Sequence, residues 1–202
     1  MSRFTPMLLL LLAAGLAWYL LREPAEEVAD DVTEVVERKT PDLFGEQIRF
    51  NQLHADGHLH YRLDADSIEQ FNADNLTRMA MPRLHLRSAA QPPWDIQSEE
   101  GFIRKTTTAE NIVEDIVYLR QKVQMRQENP ENGPITLRSE SIYLYPDRQF
   151  AETQQGVIID TEVGRTTAAG LTADLESGLL RLSSNATQRV HTIVLPEQFK
   201  KS

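Results

Sequence analysis

The 202-residue chain contains no cysteine, which removes thiol nucleophiles, disulfides, Cys-ligated zinc and iron–sulfur clusters at once. It is also short of positive charge: 21 Lys and Arg stand against 30 Asp and Glu, for a formal net charge of -9. That balance argues against a nucleic-acid binder, whose affinity comes from clustered cations neutralising phosphates. Glycines are few and isolated: Gly57, Gly101, Gly133, Gly156, Gly164, Gly170 and Gly178 each stand alone, so no loop is built to cradle a phosphate. There is no G-x-S-x-G elbow and no S-x-x-K pair, and a serine without a placed base has no means of losing its proton. The sequence therefore offers no active site. With 41% hydrophobic residues, a core can form without covalent help.

One long apolar run is present. From Phe4 to Leu21 the chain carries no charge, and as a helix these residues would reach roughly 27 Å, enough to cross a bilayer core. Gly15-Leu16-Ala17 loosely resembles a signal-peptide cleavage site. The apolar stretch continues through it as Trp18, Tyr19, Leu20 and Leu21, with an aromatic pair suited to the headgroup level. A retained anchor is the expectation. Residues 1–22 then form a cytoplasmic tip and transmembrane helix, residues 23–45 an acidic linker rich in Glu and Asp, and residues 46–198 an exported domain. Most of the acidity belongs to the linker, and the domain is only mildly acidic for its size.

Beyond the linker a period of two takes over, most clearly from His58 to Ala65, and returns at Arg83–Arg87, Trp94–Ile96, Val123–Met125, Ile135–Leu137 and Leu180–Leu182. Turn chemistry at Asp56-Gly57, Gln91-Pro92-Pro93, Asn129 to Pro134 and Ser177-Gly178 separates these pieces. The stretch from Ala109 to Arg126 has Glu and Arg content that resembles a helix, but Ile112, Val113, Ile116 and Val117 are β-branched and favour a strand. The expectation is an all-β fold of short antiparallel strands. Leu63–Ile68, Leu137–Ile142 and Leu171–Leu175, with Trp94–Glu99 as a looser copy, share an apolar residue followed by an acid near a bend. The acids Asp66, Glu99, Glu140 and Asp174 recur at spacings of 33, 41 and 34 positions, which suggests stacked strand-turn-strand units.

Two clusters invite a chemical reading. His54, His58 and His60 lie close in sequence, but if Leu59, Tyr61 and Leu63 face the core, then His58, His60 and Arg62 face solvent. No further ligand follows at a recognisable zinc spacing, so a solvated face is the plainer reading and a metal the alternative. Asp64 and Asp66 form a D-x-D pair that reads as strand-end solvation rather than paired acid and base. No metal or cofactor is implied.

Several segments, in order, resemble the LptC family of lipopolysaccharide export proteins. A G-x-L-x-Y-x-L-x-A run fits Gly57 to Ala65, a proline step fits Met81-Pro82-Arg83-Leu84, and W-x-[IV] fits Trp94-Asp95-Ile96. An L-x-G-x-V strand fits Leu119 to Val123 with Gln121 in place of the glycine, and Ser139–Leu144, Ala169-Gly170-Leu171 and Leu180–Ser183 follow. The resemblance covers nearly the whole chain. It implies a single-pass protein of the cell inner membrane whose periplasmic domain is a twisted, partly open β-jellyroll. Such a protein receives lipopolysaccharide from the inner-membrane ABC transporter LptBFG and passes it to LptA. Under that reading the inward residues Leu59, Tyr61, Leu63, Leu84, Leu86, Trp94, Ile96, Val123, Met125, Leu137, Ile142 and Leu144 line an acyl-sized groove. Arg83, Arg87, Arg104, Lys105, Arg120, Lys122 and Arg126 are candidates for a phosphate-binding rim. The N-terminal edge and the transmembrane helix would meet the transporter, and the C-terminal edge LptA, with Gly57 and Gly170 as structural glycines near these regions. The alternative is a tethered adaptor domain that uses its sheet edges for protein contacts and carries no lipid.

Overall fold

In the computed structural model, residues 40–53, 57–88, 91–107, 113–130 and 133–195 are described. They belong to a unit that begins at Lys39. The expected membrane helix lies outside them, and no helix among the described residues is long and apolar enough to cross a membrane. Where the period of two sets in, strands form: β1 (Leu43–Leu53), β2 (Leu59–Phe71), β3 (Leu76–Ala80), β4 (Arg83–Leu86), β5 (Trp94–Gln97), β6 (Glu100–Thr107) and β7 (Val113–Asn129). There follow β8 (Gly133–Tyr145), β9 (Phe150–Thr153), β10 (Val157–Thr161), β11 (Gly164–Ala168), β12 (Gly170–Asp174), β13 (Leu179–Ser183) and β14 (His191–Val194). All pairings are antiparallel. The segment with a helix-like composition is one long strand, β7, because its β-branched residues fit a pleated surface.

The long strands organise everything else. β2 pairs with β4 through Tyr61–Asp64 and with β3 through Ser67–Phe71. β8 pairs in the same way with β10 through Thr136–Ser139 and with β9 through Tyr143–Tyr145. Each long strand thus passes from one sheet layer into another at its midpoint. One layer runs through β4, β5, β10, β11 and β14, the other through β3, β6, β9, β12 and β13, and β1, β2, β7 and β8 belong to both.

The repeat is real, but its unit is longer than the sequence suggested. The order β2, a one-turn 3-10 helix (Asn72–Asp74), β3, β4, β5 and β6 recurs as β8, a second 3-10 turn (Pro146–Arg148), β9, β10, β11 and β12. Leu63–Ile68 and Leu137–Ile142 are equivalent pieces, each spanning the midpoint where its long strand changes layer. Trp94 opens β5 and Leu171 lies in β12, so neither is a copy of them. The recurring acids Asp66 and Glu140 sit at the two midpoints, where partner strands diverge and a side chain reaches solvent.

Between the layers lies a packed core. Leu84, Leu86, Trp94, Ile96, Val123, Met125, Leu137, Ile142 and Leu144 are at most 3% exposed and form one cluster with Val157, Leu171 and Ala173. Alternation holds within each run and shifts by one where β8 changes layer, so that Leu137 and Ile142 both turn inward, and the opposing layer fills the space in front of these residues.

Candidate functional site

At the N-terminal end the layers do not fill the space between them. A cavity of about 780 Å³ opens there, with Ile48 and Phe50 from β1, Tyr61, Leu63 and Ile68 from β2, Met79 from β3 and Ile103 from β6 as its apolar wall. The volume falls in the range of sites that enclose small or chain-like ligands. Alternation explains the lining within each half of β2: Ile48 and Phe50 lie opposite Ala65 and Leu63, and Ile68 lies opposite Met79, while the phase shifts by one at the midpoint, so that Leu63 and Ile68, five positions apart, face the same space.

The mouth is polar. Lys105 on β6 lies across from Asp115 on β7, beside Glu114, while Asp147 and Arg148 come from the turn after β8. Arg148 stacks its guanidinium 4.2 Å from the centre of the Tyr145 ring and pairs with Glu114 at 3.3 Å. Tyr145 donates its hydroxyl to Glu152 at 3.0 Å. Burial and the Glu152 charge push that phenol well above its ordinary range.

Tyr61 is the point where wall and mouth meet. Its ring is buried, 6.2 Å from that of Phe50, and its hydroxyl donates to the Asp115 carboxylate. Burial, then the charges of Asp115 and Asp147, raise the Tyr61 phenol far above the usual range. Burial also raises the Asp115 carboxyl, Asp147 adds to the rise, and Lys105 and the Tyr61 hydroxyl pull it back.

Of the expected groove residues, Tyr61 and Leu63 line this cavity and Leu59 stands half-buried at the start of β2. The others named for the groove are the packed core already described. Of the expected rim cations, Lys105 stands at the mouth. Arg83, Arg120, Lys122 and Arg126 are instead engaged by Asp66, Glu100, Glu99 and Glu128. Asp64 pairs with Arg49 at 2.6 Å, so the D-x-D pair is spent on ion pairs. His60 departs from expectation: it is 5% exposed, with Nε2 3.8 Å from Asp147. The turn after β8 comes up against His60, while His58 and Arg62 are exposed, as alternation assigned them. Among the described residues no group of His, Asp and Glu converges as a metal site.

The sequence reading missed Ile48, Phe50, Ile68, Met79, Ile103, Asp115 and Asp147. The signal for Ile48 and Phe50 was present as alternation in β1, ahead of the run that drew attention. Asp115 and Asp147 gave none, since they reach the cavity from strand ends distant in sequence.

The two glycines act differently. Gly57 has φ +85 with open space around its missing Cβ, so it serves as a left-handed hinge into β2. At Gly170 a Cβ would stand 2.8 Å from the Thr153 carbonyl oxygen and 2.7 Å from the Ser183 hydroxyl, so close approach of β9 and β13 requires glycine there.

Among the described residues, both ends of the strand order are unpaired. β1 exposes Leu43, Phe44 and Leu53, and the other end exposes Leu179, Ile193, Val194 and Leu195. The repeat says what each end lacks. β1 stands where β7 stands in the next unit, and among the described residues no equivalents of β5 and β6 lie beside it. β13 and β14 pair with β12 and β11 as β7 pairs with β6 and β5, and among the described residues no long strand pairs with their other side.

The family model described as "Lipopolysaccharide-assembly, LptC-related" matches residues 8–191. No curated protein matches the chain significantly. Among solved structures, the chain is similar to LptH from Pseudomonas aeruginosa, the LptA-homologous periplasmic component of the lipopolysaccharide transport device. Identity is 10% and the TM-score 0.52, over 67% of this chain and 95% of that one. At that identity the likeness is one of fold.

Proposed function

Because the chain belongs to the LptC-related lipopolysaccharide-assembly family, we propose that it is the membrane-anchored station of a periplasmic lipopolysaccharide bridge. It takes the lipid from the transporter LptBFG and passes it on to LptA without covalent change. The observation that carries this reading is the apolar cavity between the layers, open at one end of a sheet whose two outer edges are both unpaired among the described residues. Burying an acyl chain of twelve carbons is worth roughly 10 kcal/mol at about 0.8 kcal/mol per methylene. Apolar contact therefore suffices for holding, and onward flow needs a push from outside or a better site beyond.

Handover proceeds by sheet extension. β1 lacks the neighbours that β7 has, which suits it to receive strands of the transporter's periplasmic part. β13 and β14 each have one side unpaired among the described residues, which suits them to receive the first strands of LptA. The anchor is the apolar run Phe4–Leu21, which places the domain on the periplasmic side of the inner membrane. The closed core residues, from Leu84 to Leu144, join the groove only where the layers part.

The test is photocrosslinking in cells that make the transporter. Photoreactive residues at Leu63 and Ile103 should label lipopolysaccharide, one at Phe44 the transporter, and one at Val194 the bridge protein. A second reading, a tethered adaptor that carries no lipid, is favoured by the filled interior beyond the cavity. It predicts the two protein crosslinks with no lipid adduct at Leu63 or Ile103, and that result would displace the first.

A further inference from the structure

The cavity wall is held together in two ways. Most of it is apolar contact, and an acyl chain slipping between the layers replaces such contact by more of the same at little cost. One element cannot be replaced in that way. Tyr61 belongs to the half of β2 that pairs with β4, and Asp115 to the half of β7 that pairs with β6, so their hydrogen bond runs from one layer to the other. A methylene chain offers neither a donor nor an acceptor, and a broken bond at a half-buried carboxylate must be made good by water. Both residues line the cavity, and the polar groups around them, Lys105, Glu114, Asp147 and Arg148, mark its mouth.

We propose that the Tyr61–Asp115 hydrogen bond is a latch across the mouth of the interlayer cavity, broken when an acyl chain enters and remade when it leaves. The proposal rests on the acyl-binding reading above and adds the residues that gate it. It also accounts for a phenol at the inner edge of an otherwise apolar wall, where Phe would pack as well but could not close the layers together.

Because the chain has no cysteine, Tyr61→Cys with Asp115→Cys makes a thiol pair with no competitor, too far apart for a direct disulfide and joined instead by a short bis-thiosulfonate crosslinker that reductant removes. The full chain in detergent is offered a photoreactive twelve-carbon fatty acid, and labelled protein is counted. The crosslinked pair should label about tenfold less than the same protein after reduction, and Tyr61→Phe about tenfold more than wild type, the factor for one hydrogen bond to a charged acceptor. A melting curve close to wild type shows that Tyr61→Phe is folded, and crosslinking against reduction of one protein controls for folding of the pair. Equal labelling of the crosslinked and reduced pair, or of Tyr61→Phe and wild type, overturns the latch while the acyl-binding reading stands. Labelling of none of these proteins overturns that reading and the latch with it.

Discussion

Gln47 and Gln121 occupy the same place in the two halves of the molecule, each in left-handed backbone, with φ 52 and φ 64. Gln47 falls between the pairs Glu46↔Ser67 and Ile48↔Ala65, facing the midpoint of β2. Gln121, with Lys122 at φ 55, makes the bulge between Arg120 and Val123 that faces the midpoint of β8. These are the points at which a strand turns from one layer into the other, and a left-handed residue supplies the turn.

Left-handed backbone costs a residue with a Cβ about 1–2 kcal/mol, more than the entropy a glycine adds to the unfolded chain. Gln121→Gly should therefore stabilise the domain by about 0.5–1 kcal/mol, and Gln121→Val should destabilise it by about 2 kcal/mol. Urea denaturation checks both, with the midpoint moving and the slope unchanged.

Gly170→Ala forces a Cβ against the Thr153 carbonyl and should cost about 1–3 kcal/mol, as overpacking does. Gly57→Ala meets no atom and should cost only the left-handed strain, about 1 kcal/mol. Thermal melting of the two variants side by side gives the order, and a larger loss at Gly57 would contradict it.

Met125→Ala and Leu137→Ala remove fully buried side chains and should each cost about 2–5 kcal/mol. Ile103→Ala, in the wall of an existing cavity, leaves less new empty space and should cost less, while lowering lipid crosslinking from Leu63. Stability and crosslinking thus separate core from site.

Two aspartates should give opposite pH dependence. Asp160 accepts from Arg165 at 2.5 Å and from Arg138 at 2.6 Å, and these bonds hold its carboxyl below the usual range. Its contribution is present above the ordinary carboxylate pKa and lost as pH falls through the lowered value. Asp160→Asn should lower the melting temperature at pH 7, and its difference from wild type should shrink as pH falls through the lowered value. Asp115, raised by burial, contributes fully below the ordinary range and loses that contribution as pH rises through the raised value. Asp115→Asn should remove that loss, which a melting series from pH 3 to pH 7 would show.

Alternation alone identified β2, β4, β5, β13 and parts of β7 and β8 with their inward residues, because a period of two assigns each side chain to a face whatever lies opposite. Tyr61, Leu86, Met125 and Leu137 were legible for that reason, and so was the antiparallel class, since turn signals separate short strands. The absence of cysteine and of any phosphate-binding or nucleophile motif likewise needed no structure. What a face meets is a tertiary matter. Leu137 and Leu63 have the same local pattern, but the second layer closes over Leu137 and stops short of Leu63. His60 has the pattern of a solvent-facing residue and is buried because the turn at Pro146–Arg148 packs over it. The Tyr61–Asp115 bond joins strands that only the crossing of β2 and β7 between layers brings together. Periodicity is a local property of one strand, whereas a cavity is the difference between two surfaces, and that difference exists only once both are folded.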